Sequence, residues 1–348
     1  MNPIIAKSTR SGVICNVYRG IYAVVREGKV VRKGGDIDRS FFMRSSEKKI
    51  QAAVVVESGA ADAFGLSEEE IAVIAGSHNG EDFHVAAVRS ILKKGGLDES
   101  YLKCGVHPPT HEPTRDALLR AGKSFEAVHN NCSGKHAGML LASKHLGFSL
   151  DESYLSPEHP VQQRIFDRIS LLSEYDAKRI RVGVDGCGVP TYAIPVRNMA
   201  VMYANLSTPD RFPKQLADAC RRVAACVYKH PLMIGGHNRF CTDIVEEAGA
   251  KLVAKGGAEG IFDIGIVGAH TGIAVKVECG LNQMYEGFLV NLLKELGIVT
   301  EAEVMRLAKY VRQPVLNHRG EEVGYIEAKK VNDKIPREGK GSQSAKNV

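Results

Sequence analysis

The chain has 348 residues, 44% of them hydrophobic and 25% charged, and its formal net charge is +6 at pH 7. This composition is typical of globular proteins and excludes disordered and fibrous chains. No Pro/Ser-rich linker, composition break or repeat marks a domain boundary. We therefore predict a single domain over residues 1–328, built as two lobes.

The positive charge is concentrated near the C-terminus. From residue 329 onward six basic residues face two acidic ones, a surplus of four. This segment ends in EGKGSQSAKNV and has too few apolar residues to pack, so residues 329–348 are predicted to form a disordered tail. The remaining chain is nearly neutral, and we expect no nucleic-acid partner.

The length of the hydrophobic segments bears on the cellular location of the protein. None reaches the roughly 20 apolar residues that a bilayer-spanning helix needs, and charges are scattered through the first twenty positions. We expect a cytoplasmic protein with no membrane contact. Its eight cysteines are then expected to be reduced thiols.

The first third of the chain gives clear element signals. Two β-branched runs, 21–26 and 29–33, flank Glu27-Gly28 and predict a hairpin. A short helix is expected at SSEKK. Ser67 and Glu70 form a capping-box pattern before a helix that ends near Gly76, and DFHVAAVRSILKK predicts another that stops at Gly95.

The later elements complete the fold prediction. Helices are expected near 136–146, 157–173 and 213–229. KLVAKGG, GIFDIGIVGAH and TGIAVKVECG are typical of strands, and GLNQMYEGFLVNLLKELG of a long helix. Strands at both ends with helices between them favour an α+β fold, with an antiparallel sheet from both termini and a helical lobe across a cleft.

Within the SSEKK helix, one chemical motif occurs in two registers. Ser45 to Lys48 and Ser46 to Lys49 both form Ser-x-x-Lys, which places a hydroxyl beside an amine on one helix face. A serine at a helix N-terminus has backbone N–H groups nearby that stabilise an oxyanion, and a neutral lysine accepts its proton. The alternative is a solvated, capped helix.

Two later motifs favour the catalytic interpretation. Penicillin-recognising enzymes combine Ser-x-x-Lys, then Ser-x-Asn, then Lys-Thr-Gly on a strand. Here Ser77-His78-Asn79 and Lys255-Gly256-Gly257 follow in that order. The alternatives remain a helix end and a turn.

A second group of reactive side chains lies in the middle of the chain. HNNCSGKHAGML contains Cys132, Lys135 and His136, and VGVDGCGVPTY contains Asp185 and Cys187. Two thiolates with a nitrogen or oxygen ligand could form a zinc site, although the spacing matches no Cys-x-x-Cys motif. Free structural thiols and a Cys132–His136 nucleophile are the alternatives.

Several longer runs, taken in order, resemble one enzyme family. RSSEKKIQA, ESGAADAFG, SHNGE, NNCSGKHAGML, VDGCGVP, HPLMIGG and KGGAEGIF together make the chain similar to bacterial L-asparaginases of the Rhizobium etli inducible type. The resemblance spans approximately residues 20–325. It implies a fold like that of serine β-lactamases and glutaminases.

The resemblance also implies roles for individual residues. Arg44, Ser45, Lys48 and Gln51 match the family's pattern, which makes Ser45 the nucleophile and Lys48 its base, with Ser77 and Lys255 as a second pair. The implied zinc ligands are Cys132, Lys135 and Cys187, and Asp185 lies next to them or bonds a water. The implied substrate contacts are Arg44, Asn79, Asp185, Gly186 and Glu259.

Two departures from the family pattern stand out. Cys15-Asn16-Val17-Tyr18 precedes Arg19-Gly20 where a Glu-Ser-x-His-like stretch is usual. Ser46 and Glu47 also differ from the residues expected beside the base. The first departure affects the contacts of the N-terminal segment. The second affects the proton affinity of Lys48.

We therefore predict an L-asparaginase that releases aspartate and ammonia from L-asparagine through a serine acyl-enzyme, with zinc, as a homodimer. Two alternatives share the fold: a glutaminase, and a penicillin-binding-like serine amidase. A third is a catalytically silent relative that binds zinc or an amino acid.

Overall fold

The computed structural model describes residues 1–330, and most of the predicted 329–348 tail therefore lies outside the described residues. Lys329 belongs to the described part, and its backbone N–H donates to Ile5 O. No helix in residues 1–330 has both the length and the apolarity needed to cross a membrane.

Eleven strands are present in the described chain. Their bounds are β1 Ile4–Arg10, β2 Val13–Arg26, β3 Lys29–Gly34, β4 Ser40–Phe42, β5 Arg181–Val184, β6 Pro190–Pro195, β7 Leu252–Gly257, β8 Ile261–Ile266, β9 Thr271–Val277, β10 Arg312–Leu316 and β11 Glu322–Ala328.

Fourteen helices accompany them within the same residues. Their bounds are α1 Lys48–Glu57, α2 Ala60–Ala63, α3 Glu68–Ile74, α4 Asp82–Lys94, α5 Glu112–Arg120, α6 Ser133–His145, α7 Pro160–Ser173, α8 Val196–Ser207, α9 Lys214–Lys229, α10 Pro231–Gly235, α11 Phe240–Ala248, α12 Gln283–Glu295, α13 Glu301–Arg306 and α14 Ala308–Val311. A 3₁₀ turn, Arg44–Glu47, leads directly into α1.

The main sheet has the strand order β10-β11-β1-β2-β9-β8-β7. In addition, β3 pairs with the C-terminal part of β2, from Tyr22 to Arg26. Its strand pairs are antiparallel, and Ala6↔Ala328 joins the two ends of the described chain. The predicted mixture of helices with an antiparallel sheet from both termini is confirmed. A smaller sheet, β4-β6-β5, was not predicted.

Helix α8 lies against the main sheet, and two glycines allow it to approach closely. Gly265 and Gly272 are paired across β8 and β9. A Cβ at Gly272 would lie 1.8 Å from Ala200 O, and one at Gly265 would lie 2.3 Å from Tyr203 O. Either substitution would force the helix off the sheet, because backbone atoms cannot shift as freely as a side-chain end.

The structure confirms the predicted turns and helix ends that depend on residues close together in sequence. The β2–β3 hairpin turns at Glu27-Gly28, where both residues have positive φ. Ser67 and Glu70 form the capping box of α3, and α4 ends at Gly95. Helix α1 is buried along Lys48–Val55, so the SSEKK segment begins a helix in the protein interior rather than a solvated one.

Candidate active site

A cavity of about 540 Å³ is lined by Ser45, Ser77 and Lys255, three of the four predicted catalytic residues. They come from the turn before α1, from the segment after α3 and from β7. The structure thus brings together residues separated by 210 positions, from 45 to 255. Asn131, which precedes Cys132, lines the same cavity.

The backbone before Ser45 directs its side chain toward this cavity. Arg44 has a φ of 54°, an uncommon value for a residue with a Cβ. Such backbone strain costs on the order of 1–3 kcal/mol and is frequent at functional sites. Ser45 lines the cavity, and within the described chain we find no hydrogen bond from its hydroxyl.

The structure separates the two Ser-x-x-Lys registers. Ser46 is fully buried, and its hydroxyl donates to Met43 O at 3.0 Å. Lys49 is also buried and donates to Ala75 O at 3.1 Å. Burial lowers the pKa of Lys49 well below its usual range, and nearby Lys255 lowers it further. Ser46 and Lys49 therefore belong to the interior, while Ser45 lines the cavity.

Lys48 extends toward Ser77. Its Nζ donates to Ser77 Oγ at 2.8 Å and to Asn131 O at 3.1 Å. The predicted pairs were Ser45 with Lys48 and Ser77 with Lys255, whereas the hydrogen bond in the structure joins Lys48 to Ser77. The catalytic role of each residue stays a prediction.

Lys255 lies in the wall of the cavity at the end of β7. Its Nζ donates to Gly256 O at 2.6 Å. Burial lowers its pKa to about 8; Cys241 opposes this shift, and Lys48 and Arg239 contribute to it. An amine with that pKa is neutral in roughly a tenth of molecules at pH 7, enough to act as a base.

Arg44 joins three of the predicted substrate residues. Its guanidinium lies 2.7 Å from Asp185 Oδ1 and 2.6 Å from Glu259 Oε1. Gly186 lies beside this guanidinium, and a Cβ at that position would be 4.0 Å from an Arg44 nitrogen, an ordinary van der Waals contact. Glu259 has a φ of 61° and is largely exposed. The four residues form one polar group beside Ser45.

Asn79, the fifth predicted substrate residue, is buried and is not among the described residues that line the cavity. Its side-chain amide packs against Gly236, where a Cβ would lie 2.3 Å from Asn79 Oδ1. Glu81 meets the same loop and accepts the His237 backbone N–H at 2.9 Å. Asn79 therefore supports the loop that borders the cavity.

The predicted metal ligands also come together. One ligand atom each from Cys132, Asp185 and Cys187 lies within 4.8 Å of the others, and all three residues are buried. Cys187 Sγ donates to Asp185 Oδ2 at 3.5 Å, and Cys132 Sγ donates to Asn131 Oδ1 at 3.1 Å. The proximity of the two thiols lowers the pKa of Cys132 and raises that of Cys187. Two cysteine sulfurs and a carboxyl group are a donor set suited to zinc.

Lys135 completes this cluster. Its Nζ is buried 3.7 Å from Asp185 Oδ2, and no hydrogen-bond partner for it is found in residues 1–330. An unpartnered buried amine is costly, and coordination to a metal would explain it. Burial alone would lower the pKa of Lys135, but the neighbouring Cys132 and Cys187 raise it. Cys132, Cys187 and Asp185 fit a metal ion on the chemistry of their donors, whereas the Lys135 amine would coordinate only after it loses its proton.

His136 has a different role from the one considered in the sequence. Its Nδ1 is 2.8 Å from the Tyr154 hydroxyl, and the ring is fully buried. The His136 backbone N–H donates to Cys132 O at 3.1 Å, but within residues 1–330 no hydrogen bond joins the imidazole ring to the Cys132 thiol. The Cys132–His136 nucleophile therefore has no supporting geometry.

Several cavity residues were missed by the sequence analysis. They are Arg239, Cys241, Asn282, Tyr285, Glu286, Tyr310 and Gln313. They occur singly in helices or short loops, without a motif, so that only the tertiary arrangement shows their common position.

Comparisons with known proteins bear on this site. A search of curated proteins finds no significant match. Similar solved structures include "Crystal Structure Analysis of Mglu in its native form", at 16% identity and a TM-score of 0.45, covering 80% of this chain and 64% of that one. "Crystal Structure Analysis of Mglu in its glutamate form" is similar at 15% identity and a TM-score of 0.46, covering 80% of this chain and 61% of that one. The chain thus spans less than two thirds of the length of these structures.

The family comparison covers nearly all of the described chain. The profile of the L-asparaginase II family matches residues 6–328. This interval contains every predicted site residue, from Arg44 to Glu259. The chain belongs to the L-asparaginase II family.

Proposed function

We propose that the protein is an L-asparaginase that converts L-asparagine to L-aspartate and ammonia through an acyl-enzyme on Ser45. The observation that carries the proposal is the common cavity of Ser45, Ser77 and Lys255, behind which the buried Lys48 bonds Ser77. Family membership supports amide hydrolysis as the reaction class.

The first step forms an ester. Ser45 Oγ attacks the side-chain amide carbon, its proton passes to a neutral lysine amine, and the carbonyl oxygen becomes an oxyanion. We propose that backbone N–H groups beside Ser45 stabilise this oxyanion. When the intermediate collapses, the C–N bond breaks and a lysine returns the proton to the departing ammonia.

In the second step, water is the nucleophile and Ser45 is the leaving group. Water attacks the ester carbon, a lysine amine takes a proton from it, and the Ser45 oxygen leaves as a hydroxyl. Lys255 is suited to this exchange because its pKa of about 8 allows both protonation states near neutrality. Lys48 and Ser77 form the second proton-carrying pair on the opposite wall.

Arg44 and its partners provide recognition. We propose that Arg44 binds the α-carboxylate of asparagine, held in place by Asp185 and Glu259. Glu259 is the more exposed partner and can turn toward the substrate ammonium group. Gly186 lies beside the guanidinium.

We propose zinc as the metal held by Cys132, Lys135 and Cys187, with Asp185 beside it. When bound, the ion would fix the shape of this cluster and, through Asp185, the position of Arg44. The nucleophile is supplied by Ser45, so no chemical step requires the ion.

We also propose a serine β-lactamase/glutaminase-like fold, a single catalytic domain over residues 1–328, a homodimer and a cytoplasmic location.

Ammonia release from L-asparagine, L-glutamine and the β-lactam nitrocefin distinguishes the enzymes considered. We expect ammonia from asparagine at a kcat/KM at least roughly tenfold above that for glutamine, a difference typical of one methylene in a pocket, and no nitrocefin hydrolysis. A preference for glutamine would favour a glutaminase. Nitrocefin cleavage would favour a penicillin-binding-like amidase. Asparagine binding without ammonia release would favour the silent relative.

A further inference from the structure

The backbone that leads to Ser45 is held by a side chain of the small sheet. Strand β4 pairs with β6, and the backbone N–H of Met43, just beyond β4, still donates to Tyr192 O at 3.0 Å. The next N–H along the chain, that of Arg44, donates instead to the hydroxyl of Thr191 at 3.1 Å. A threonine side chain thus takes over where the backbone ladder ends, at the residue before Ser45.

Arg44 is the residue at which the chain needs such support. Its φ of 54° lies in the left-handed region, which is unfavourable for a residue with a Cβ. It also begins the 3₁₀ turn Arg44–Glu47, and the first N–H groups of a helical turn have no partner within the turn. An uncommon backbone conformation persists only where the surrounding structure fixes it. The bond to Thr191 supplies such a constraint.

The hydroxyl of Thr191 is oriented in turn by a buried carboxyl group. It accepts the Arg44 N–H with a lone pair, and it donates its own proton to Glu47 Oε2 at 3.3 Å. The other carboxyl oxygen, Glu47 Oε1, accepts Gln51 Nε2 at 3.1 Å. Glu47 is fully buried, and Thr191 is 2% exposed. Glu47, which departs from the family pattern, therefore fixes the direction in which the Thr191 hydroxyl points.

The side chain of Arg44 is held by the same β-hairpin as its backbone. Strands β5 and β6 pair with each other, and Thr191 lies on β6. Asp185 lies in the turn between these strands and accepts a hydrogen bond from Arg44 Nε at 2.7 Å. On the other side of this backbone, a Cβ at Gly257 would lie 2.4 Å from Met43 O, so β7 packs closely against it. The residue before Ser45 is thus constrained from both sides.

We propose, resting on the function proposed above, that Thr191 is a positioning residue whose hydroxyl, oriented by Glu47, holds the Arg44 backbone so that Ser45 Oγ faces the substrate amide. Thr191 is not among the described residues that line the cavity, so it acts through Arg44 and not on the substrate. Misplacing a reacting atom by about 1 Å can slow a reaction about 10²-fold. Loss of the hydroxyl should therefore slow the chemical step and leave substrate binding nearly unchanged.

Two substitutions isolate the hydroxyl. Thr191→Val replaces it by a methyl group of similar size, and Thr191→Ser keeps it. In Thr191→Val we expect kcat for ammonia release from L-asparagine to fall by about 10–10²-fold, with KM within about threefold of the unmodified value. Thr191→Ser should keep kcat within about threefold. Equal kcat values in the two variants would overturn the proposal. Where Thr191→Val does not fold, Thr191→Ala takes its place, because it differs from Thr191→Ser by the hydroxyl alone.

A second buried threonine gives the matched control. Thr271, on β9, is 1% exposed, and its hydroxyl accepts Arg26 Nε at 3.4 Å and donates to Ala269 O at 2.9 Å. It is not among the described residues that line the cavity. Thr271→Val removes a comparable pair of hydrogen bonds and should leave kcat within about twofold. A fall in kcat as large as that in Thr191→Val would mean that the loss of a buried hydroxyl anywhere in the sheets has this effect, and would overturn the proposal.

A structural measurement tests the positioning directly. In a crystal structure of Thr191→Val, or of Thr191→Ala in its place, we expect Arg44 to leave the left-handed region and Ser45 Oγ to move by about 1 Å or more. In Thr191→Ser, the φ of Arg44 should stay near 54°. An unchanged Arg44 backbone and Ser45 position without the hydroxyl would reject the positioning role, whichever reaction the protein catalyses.

Ser45→Ala separates this proposal from the proposed reaction. Full ammonia release by Ser45→Ala would reject the acyl-enzyme on Ser45, and the crystal structures of the Thr191 variants would still decide whether Thr191 holds this backbone. Loss of ammonia release in Ser45→Ala, together with equal kcat values in Thr191→Val and Thr191→Ser, would reject only the role of Thr191.

Discussion

Lys48 Nζ donates a 2.8 Å hydrogen bond to Ser77 Oγ, although the two residues lie 29 positions apart. Lys48 is on the buried helix α1, and Ser77 follows α3. Both side chains lie beside the cavity that Ser45 and Lys255 share. This contact joins the first two sequence motifs, Ser-x-x-Lys and Ser-x-Asn, in one hydrogen-bonded pair, which we propose carries protons in the reaction.

Removing the Ser77 hydroxyl should abolish its hydrogen bond with Lys48. In Ser77→Ala we expect kcat for ammonia release from asparagine to fall by about 10²–10⁴, the usual contribution of a proton-transfer group, with a smaller change in KM. The control is Ser100→Ala at an exposed position. If steady-state kinetics show Ser77→Ala to be as active as that control, Ser77 has no part in proton transfer.

Lys255 should govern the pH dependence of the reaction. Its pKa is lowered to about 8, so the neutral base becomes more abundant as the pH rises from 6 to 9. We expect kcat/KM to increase over this range with an apparent pKa near 8, and Lys255→Arg to be at least about 10²-fold less active because arginine keeps its proton. A flat profile between pH 6 and pH 10 would exclude Lys255 as the base.

The buried carboxyl group of Asp263 should affect stability rather than chemistry. Burial raises its pKa to about 7, and the nearby Ser46 hydroxyl opposes this shift only in part. A carboxyl group with a raised folded-state pKa contributes stability that is present below the unfolded value near 3.8 and lost as the pH rises through 7. The loss amounts to about 4 kcal/mol.

Asp263→Asn removes this penalty. Relative to the unmodified protein, the free energy of unfolding of the variant should increase by up to about 4 kcal/mol between pH 4 and pH 8, as measured by urea denaturation. Asp167→Asn, at an exposed site, should show no such trend. A difference for Asp263→Asn that does not vary with pH would mean that Asp263 is ionised in the folded protein throughout.

The metal cluster has a direct test in metal content. We expect about one zinc per chain by elemental analysis, and a content below about a tenth of that in Cys187→Ala, because zinc sites rarely hold with one thiolate removed. Cys15→Ala, at an exposed cysteine, should keep the metal. Unchanged zinc in Cys187→Ala would place the ion elsewhere.

Local chemistry explains which parts of the fold were predictable. The turn at Glu27-Gly28, the Ser67–Glu70 capping box and the stop at Gly95 depend on residues within one turn of each other. Helix α8 was missed because it packs against the sheet through glycines, Gly265 and Gly272, that lie far away in sequence. Its own residues give no comparable signal.

The same distinction applies to the site. The motifs identified Ser45, Ser77 and Lys255, and the structure places them on one cavity. Which lysine bonds which serine depends on how α1 and α3 pack, and the sequence carries no record of that contact. Glu286 and Arg239 belong to no motif, so their position in the cavity could come only from the structure.

The central claim is that Ser45, and not its neighbour Ser46, attacks the amide. Ser45 lines the cavity, whereas Ser46 is buried and bonded to Met43 O. Ammonia release from L-asparagine should therefore fall to background in Ser45→Ala, with zinc content unchanged. Ser46→Ala should remain active while losing roughly 1 kcal/mol of stability, the net value of one buried hydrogen bond. Full activity of Ser45→Ala, or activity lost in a folded Ser46→Ala alone, would contradict the account.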